Sequence, residues 1–272
     1  MNKLEKGKII ILSLLVFTTK YLIGQEQSFS FDEILNSDTI NDYEEFQFVN
    51  NDSLRITYYS FSPDNPTAKL IFLHGGGAYS KLGYFHLAKD LKEKYNTQTI
   101  LIDFVGHGKS GGRRGDCSSP KSVYADIYQL ARQVNSGNTP IYLGGHSSGG
   151  GMILNYKKWS KDSVFDGYIF ISPEFGYKSN TEREGRTEFG DVKVWKFALN
   201  AMSFGLLFQH SYAVEFNYPE ELIKEEPLIV TKLTVNMANA STPKKPKKQI
   251  AVINEPIAIF VGRNDELFDP AK

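Results

Sequence analysis

The chain has 272 residues, 41% of them hydrophobic, enough for one large α/β domain with a sizeable core. Lys and Arg together number 31, as do Asp and Glu, so no overall charge draws the chain to nucleic acid or to an anionic surface. Cys117 is the only cysteine, which excludes an intrachain disulfide and a cysteine-built metal site.

Residues 1–24 read as an export signal. Lys3, Lys6 and Lys8 precede an apolar core at 9–17, and the polar Thr18-Thr19-Lys20 follows. That core is too short to span a bilayer comfortably. A signal peptide cut near Gly24 is therefore expected, with an uncleaved N-terminal anchor as the alternative, and the protein is expected to be exported, periplasmic or extracellular.

Two alternating arms around Asn50-Asn51-Asp52 predict a hairpin over 46–58. Short unbroken apolar runs follow at 70–73, 99–102, 141–143 and 168–171, with a fifth at 257–261. Runs of this kind suit strands buried on both faces of a parallel sheet. Between them, 80–95, 120–134 and 148–160 carry apolar residues at helical spacing. The alternation predicts right-handed βαβ crossovers and a doubly wound, mostly parallel sheet. Residues 173–256 break the rhythm with aromatic residues among many charges, which predicts a mainly helical lid inserted between two sheet strands. The expected organisation is a core over 25–172, a lid over 173–256 and the core continued over 257–272. Lys244-Lys245-Pro246-Lys247-Lys248 is read as a solvated return linker.

The chemistry concentrates in Gly145-His146-Ser147-Ser148-Gly149, which follows the apolar run 141–143. A strand ending in G-x-S-x-G and entering a helix is a nucleophile elbow, with the serine on a strained turn and glycines where strand and helix approach closely. A serine hydroxyl also needs donors placed for the oxyanion. One is the N–H after the nucleophile, here Ser148, and the other comes from a loop after an earlier strand. His74-Gly75-Gly76-Gly77, after the run 70–73, supplies such a loop.

With these motifs the chain resembles the α/β-hydrolases of the monoacylglycerol lipase and serine aminopeptidase type. Asp103-Phe104-Val105-Gly106-His107-Gly108-Lys109-Ser110 is similar to that family's D-x-x-G-H-G-x-S motif. Arg113, Arg114, Gly115 and Asp126 fall where the family carries Arg-Gly and Asp, and 256–265 resembles its late strand ending in G-x-x-D. The resemblance covers roughly residues 46–270. It implies Ser147 as nucleophile, Asp265 as the acid that orients the base, and the amides of Gly76 and Ser148 as the oxyanion hole. It implies monoacylglycerol, lysophospholipid or small acyl-ester substrates, no metal or organic cofactor, and no nucleic-acid partner. The apolar lid adds an expectation of peripheral membrane contact.

The triad order in this fold is Ser, Asp, His. No histidine follows Asp265, and His74, His86, His107, His146 and His210 all stand in positions unsuited to the base. The expectation is a truncated chain that lacks the last strand and helix, with the base histidine outside these 272 residues and the chain as given inactive. The alternatives are a non-catalytic relative, a substitute histidine such as His210, and an aminopeptidase whose Glu182, Glu184 and Glu188 hold a free N-terminus.

Overall fold

The computed structural model describes residues 39–272 apart from 136, 161, 163 and 187. The export-signal reading of 1–24 lies outside them. Among the described residues no helix is long and apolar enough to cross a membrane.

The predicted hairpin is β1 (Glu44–Val49) and β2 (Arg55–Phe61), paired antiparallel. The five apolar runs are β3 (Ala68–Leu73), β4 (Thr97–Ile102), β5 (Ile141–His146), β6 (Gly167–Ile171) and β10 (Ile257–Phe260). They form one seven-stranded sheet in the order β1-β2-β4-β3-β5-β6-β10, parallel from β4 through to β10. The unbroken runs of β3, β4, β5 and β6 follow from burial on both faces, whereas β10 is the edge strand and leaves Ile257, Ile259 and Phe260 exposed. Side chains alternate along a strand, so Ile71 and Leu73 of β3 enter one core cluster while Leu70 and Phe72 enter the other.

Helices α1 (Tyr84–Tyr95), α2 (Pro120–Val134) and α3 (Ser148–Trp159) flank the sheet. Helix α2 starts where its sequence provides a start. Pro120 sits in the first turn, and the Ser119 side chain accepts the Ser122 N–H at 3.2 Å. Helix α1 begins four residues later than its periodicity suggests, because Leu82 N–H bonds to the Tyr79 carbonyl in a turn and Gly83 takes a φ of 83°.

The insertion holds four short helices, α4 (Val194–Met202), α5 (Glu220–Glu225), α6 (Val235–Ser241) and α7 (Pro246–Ile250). Beside them lies a three-stranded antiparallel sheet of β7 (Gly190–Val192), β8 (Tyr212–Phe216) and β9 (Lys232–Thr234), in the order β7-β8-β9. The lysine-rich return keeps Lys244, Lys245, Lys247 and Lys248 in solvent, as read, but it is helical and not a linker. It forms α7, whose Gln249 is buried and donates to the Leu154 carbonyl of α3 at 3.2 Å. A buried amide with satisfied hydrogen bonds outweighs the local charge.

The strand order places the site. The chain goes from β3 to β4 on one side and returns to β5 on the other, so the loops after β3 and β5 leave neighbouring strands at the same edge. Such a switch point is where open α/β sheets form a crevice.

Candidate active site

Ser147 joins β5 to α3 with φ 51° and ψ −121°. A positive φ is strained for a residue with a side chain and persists only when the surroundings hold it. Here they do. Ser147 N–H donates to the Ile171 carbonyl at 3.0 Å, and its carbonyl accepts the N–H groups of Gly150 and Glu174 at 2.9 and 2.8 Å. The flanking glycines are required by space. A β-carbon on Gly145 would lie 2.6 Å from the Gly149 carbonyl carbon, and one on Gly149 would lie 2.4 Å from the Leu73 carbonyl oxygen.

The loop after β3 meets this turn. A β-carbon on Gly75 would come within 3.5 Å of Ser147 Cβ, and one on Gly76 within 3.2 Å of Ser148 Oγ. Ser148 opens α3, so its N–H has no partner within the helix. Among the described residues no acceptor takes the Gly76 N–H either. Ser147, Ser148 and Gly76, singled out in the sequence, are thus brought together. The lid fixes the far side of the loop. Tyr218 Oη donates to the Gly76 carbonyl at 2.7 Å, and Val230 N–H donates to that of Gly77 at 2.8 Å.

Asp265 lies in the loop after β10, two strands from Ser147. One carboxylate oxygen, Oδ1, accepts the N–H groups of Leu267 and Phe268 at 2.9 and 2.8 Å, which fixes its rotamer. Lid residue Arg183 grips the same loop, donating to the carbonyls of Asp265 and Arg263 at 2.6 and 3.0 Å. The Asp265 charge reaches the elbow. Burial lowers the pKa of His146, and the nearby Asp265 carboxylate acts in the opposite sense.

Four of the five histidines are otherwise engaged, and His86 lies on α1. Tyr84 Oη accepts the Gly75 N–H at 2.8 Å and is hydrogen-bonded to His146 Nδ1 at 2.9 Å. Burial raises the Tyr84 hydroxyl to about 12, and its hydrogen bond engages the His146 ring. His74 donates from Nδ1 to the Gly75 carbonyl at 2.9 Å and accepts the Phe104 N–H at Nε2. His107 donates to the Val105 carbonyl at 3.1 Å. Burial depresses these two imidazoles to about 4 and about 3. His210 Nδ1 bonds to Asp116 at 3.0 Å, on the boundary between core and lid.

Asp103 serves the fold. It is buried and accepts the N–H groups of Ser80 and Lys109, both at 2.8 Å. Cys117 is buried, and burial raises its thiol well above the ordinary range, so it carries no thiolate chemistry. Among the described residues no group of His, Cys, Asp and Glu could hold a metal ion. Sequence reasoning missed Tyr84, Arg183 and Tyr218. Each acts on the site from an element distant in sequence, and no local pattern marks it.

A family model described as serine aminopeptidase, S33, matches residues 64–272. A monoglyceride lipase of Rattus norvegicus is 26% identical over 228 residues, which take in 81% of this chain and 73% of that protein. A putative monoglyceride lipase of Schizosaccharomyces pombe is 34% identical over 98 residues, a quarter (25%) of its length. Among solved structures, a soluble variant of the Saccharomyces cerevisiae monoglyceride lipase with a substrate analogue gives a TM-score of 0.59 at 17% identity, over 88% of this chain and 81% of that one. Est1E from Butyrivibrio proteoclasticus, solved with ferulic acid bound, gives 0.57 at 18% identity, over 83% and 82%. At such identities the structural likeness is one of fold.

Proposed function

Because the chain belongs to the serine aminopeptidase, S33, family of the α/β-hydrolase fold, we propose that it is a serine hydrolase that cleaves carboxylic esters through an acyl-enzyme. The observation that carries this reading is the strained Ser147 turn, packed against a glycine loop whose Gly76 N–H donates to no protein acceptor among the described residues. Ser147 Oγ attacks the ester carbonyl and gives its proton to a base. The N–H groups of Gly76 and Ser148 take the charge that develops on the carbonyl oxygen. One such donor is typically worth about 2.7–4 kcal/mol. The alcohol leaves with the proton returned by the base, and water then breaks the acyl–Oγ bond to release the acid. Asp265 orients the base that takes the Ser147 proton.

The lid's exposed Trp195, Met202 and Phe204 favour lipid-like esters, monoacylglycerol or lysophospholipid, over compact polar ones. The relatives described as monoglyceride lipases point the same way. An aminopeptidase would need a free carboxylate for the substrate's ammonium. Of the three carboxylates on offer, Glu182 is paired with Arg186 at 2.9 Å, and Glu184 and Glu188 stand exposed to solvent, which screens their charge. The export signal read in residues 1–24 puts the reaction outside the cytoplasm, which N-terminal sequencing of the exported protein checks.

The test uses the purified protein. A fluorophosphonate probe should label it, and Ser147→Ala should abolish labelling. The p-nitrophenyl acyl esters should turn over while amino-acid arylamides do not. Arylamide cleavage without ester turnover rejects the ester reading, and a folded protein with Ser147 unlabelled is a binding module instead.

A further inference from the structure

A cavity of about 390 Å³ opens where the loop between β4 and α2 meets the lid sheet. No residue of the Ser147 turn or of the glycine loop at 75–77 lines it. Its wall gathers Arg113 of the β4–α2 loop, Lys193 and Lys196 at the start of α4, Lys232 of β9, His210 and the carboxylate Glu215. These side chains come from stretches far apart in sequence, so only the fold brings them together. Sites for small molecules run from about 300 to 1,000 Å³, so the cavity has room for a small organic ligand and not only for a bare ion.

Several of the donors are held in place. Arg113 donates to the His210 carbonyl at 2.8 Å, and its guanidinium lies over the Tyr212 ring, 4.4 Å from the centroid. Lys196 Nζ donates to the Tyr212 carbonyl at 2.5 Å, which uses one of its N–H bonds and neutralises none of its charge. His210 Nδ1 bonds to Asp116 at 3.0 Å, and its Nε2 has no protein partner among the described residues. Lys193 makes no ion pair among the described residues.

The charges about the cavity do not balance. Lys232 is paired with Glu215 at 2.7 Å. Asp116 lies 3.6 Å from Arg113, but it is buried and also accepts from Thr234 at 2.7 Å. Asp191 faces Glu215 across the lid sheet and does not line the cavity. Four cations against the two carboxylates Glu215 and Asp116 leave an excess of two positive charges. A concave wall of one sign focuses its field and draws in a counter-ion. A phosphate monoester carries about −1.5 to −2 at neutral pH, which matches the excess, whereas a monocarboxylate leaves it half uncompensated.

We propose that this cavity binds a small soluble phosphate monoester, its phosphate joining Arg113 of the core to Lys193 and Lys196 of the insertion. Arginine offers phosphate oxygens paired N–H groups in a fixed plane, and lysine offers a mobile point charge. Binding requires no turnover, so it stands or falls apart from the ester reading.

Isothermal titration calorimetry of the purified protein with glycerol phosphate tests it, with glycerol and sodium acetate at matched ionic strength as controls. Glycerol phosphate should bind saturably and neither control should. Lys193→Gln removes an exposed charge that makes no ion pair, so folding is retained. Combined with Arg113→Gln it should weaken binding roughly tenfold or more. Glu215→Gln removes the repelling carboxylate and should tighten binding, an effect that misfolding cannot imitate. Lys89→Gln, on α1, should leave the affinity unchanged. Equal binding of acetate, an unaltered affinity in the double variant, or weaker binding by Glu215→Gln overturns the proposal. Binding to phosphatidylglycerol vesicles without binding of glycerol phosphate marks a membrane contact and overturns it as well.

Discussion

The Tyr218 hydroxyl donates to the Gly76 carbonyl at 2.7 Å, tying the 173–256 insertion to the peptide next to the N–H proposed for the oxyanion hole. The two residues are 142 apart in sequence. Gly76 also stands against the Phe216 ring, so the lid sets the loop's position by both packing and a hydrogen bond. Tyr218→Phe keeps the ring and removes the bond. About 1 kcal/mol of stability should go with it. Because the bond positions a donor rather than contacting substrate, kcat should fall roughly fivefold with KM little changed. Steady-state kinetics on an acyl ester checks the split, and a change in KM alone would mean that Tyr218 binds substrate directly.

The glycine after the elbow gives a sharper test of packing. In Gly149→Ala the new methyl meets the Leu73 and His74 carbonyl oxygens at 2.4 and 2.7 Å, both backbone atoms that cannot swing aside. Overpacking of this kind costs about 1–3 kcal/mol or more, and for a chain of this size each kcal/mol lowers Tm by about 2–4 °C. Gly262→Ala is the control. Its methyl meets nothing closer than 3.7 Å, so its melting should match the unaltered protein within error. Equal melting of Gly149→Ala and Gly262→Ala would refute the packing argument.

What the sequence made legible follows from how local its causes are. Strands buried on both faces must be apolar at every position, so β3, β4, β5 and β6 could be read from their runs alone; β10 was read from the same kind of run although it lies exposed at the sheet edge. The Ser147 turn could be read because close approach of strand to helix demands Gly145 and Gly149 at fixed offsets. The three strands of the lid sheet could not. Gly190–Val192 and Lys232–Thr234 are three residues each and carry charge, and only their pairing with Tyr212–Phe216 makes them strands. Arg183 is invisible for the same reason, since its meaning depends on a loop 82 residues away. The reach of Pro246 and Gln249 into the core was likewise hidden behind four lysines.

Acid should unfold the protein through two histidines beneath the glycine loop. His74 and His107 are buried neutral, with folded-state pKa values of about 4 and about 3. In the unfolded chain an imidazole titrates near 6.5. The folded values are depressed, so the unfolded state binds more protons as pH falls from about 6.5. The stability contributed is complete above that pH and is lost progressively down to the folded values. By pH 5.5 the loss should be about 1 kcal/mol for each histidine. Urea unfolding at a series of pH values reads this slope, and a flat profile between neutrality and pH 5.5, in place of a loss of about 2 kcal/mol, would show that the imidazoles are solvated.

Asp126 should act in the opposite sense. Its carboxyl lies on α2, accepts the Asn50 amide at 3.1 Å, and is pushed up by burial to about 7. Here the folded pKa is raised above the unfolded value near 3.9. The stability linked to this group is present below about pH 4 and is lost as pH rises through 7, where the folded state must hold a poorly solvated charge. Asp126→Asn preserves the shape and an acceptor for Asn50 while removing the charge. The variant should therefore exceed the unaltered protein in stability by about 1–3 kcal/mol at pH 8, and the gap should narrow as pH falls towards about 4. Paired urea titrations across that range decide it. A variant that is less stable at alkaline pH would mean that the ionised carboxylate, and not its burial, governs this position.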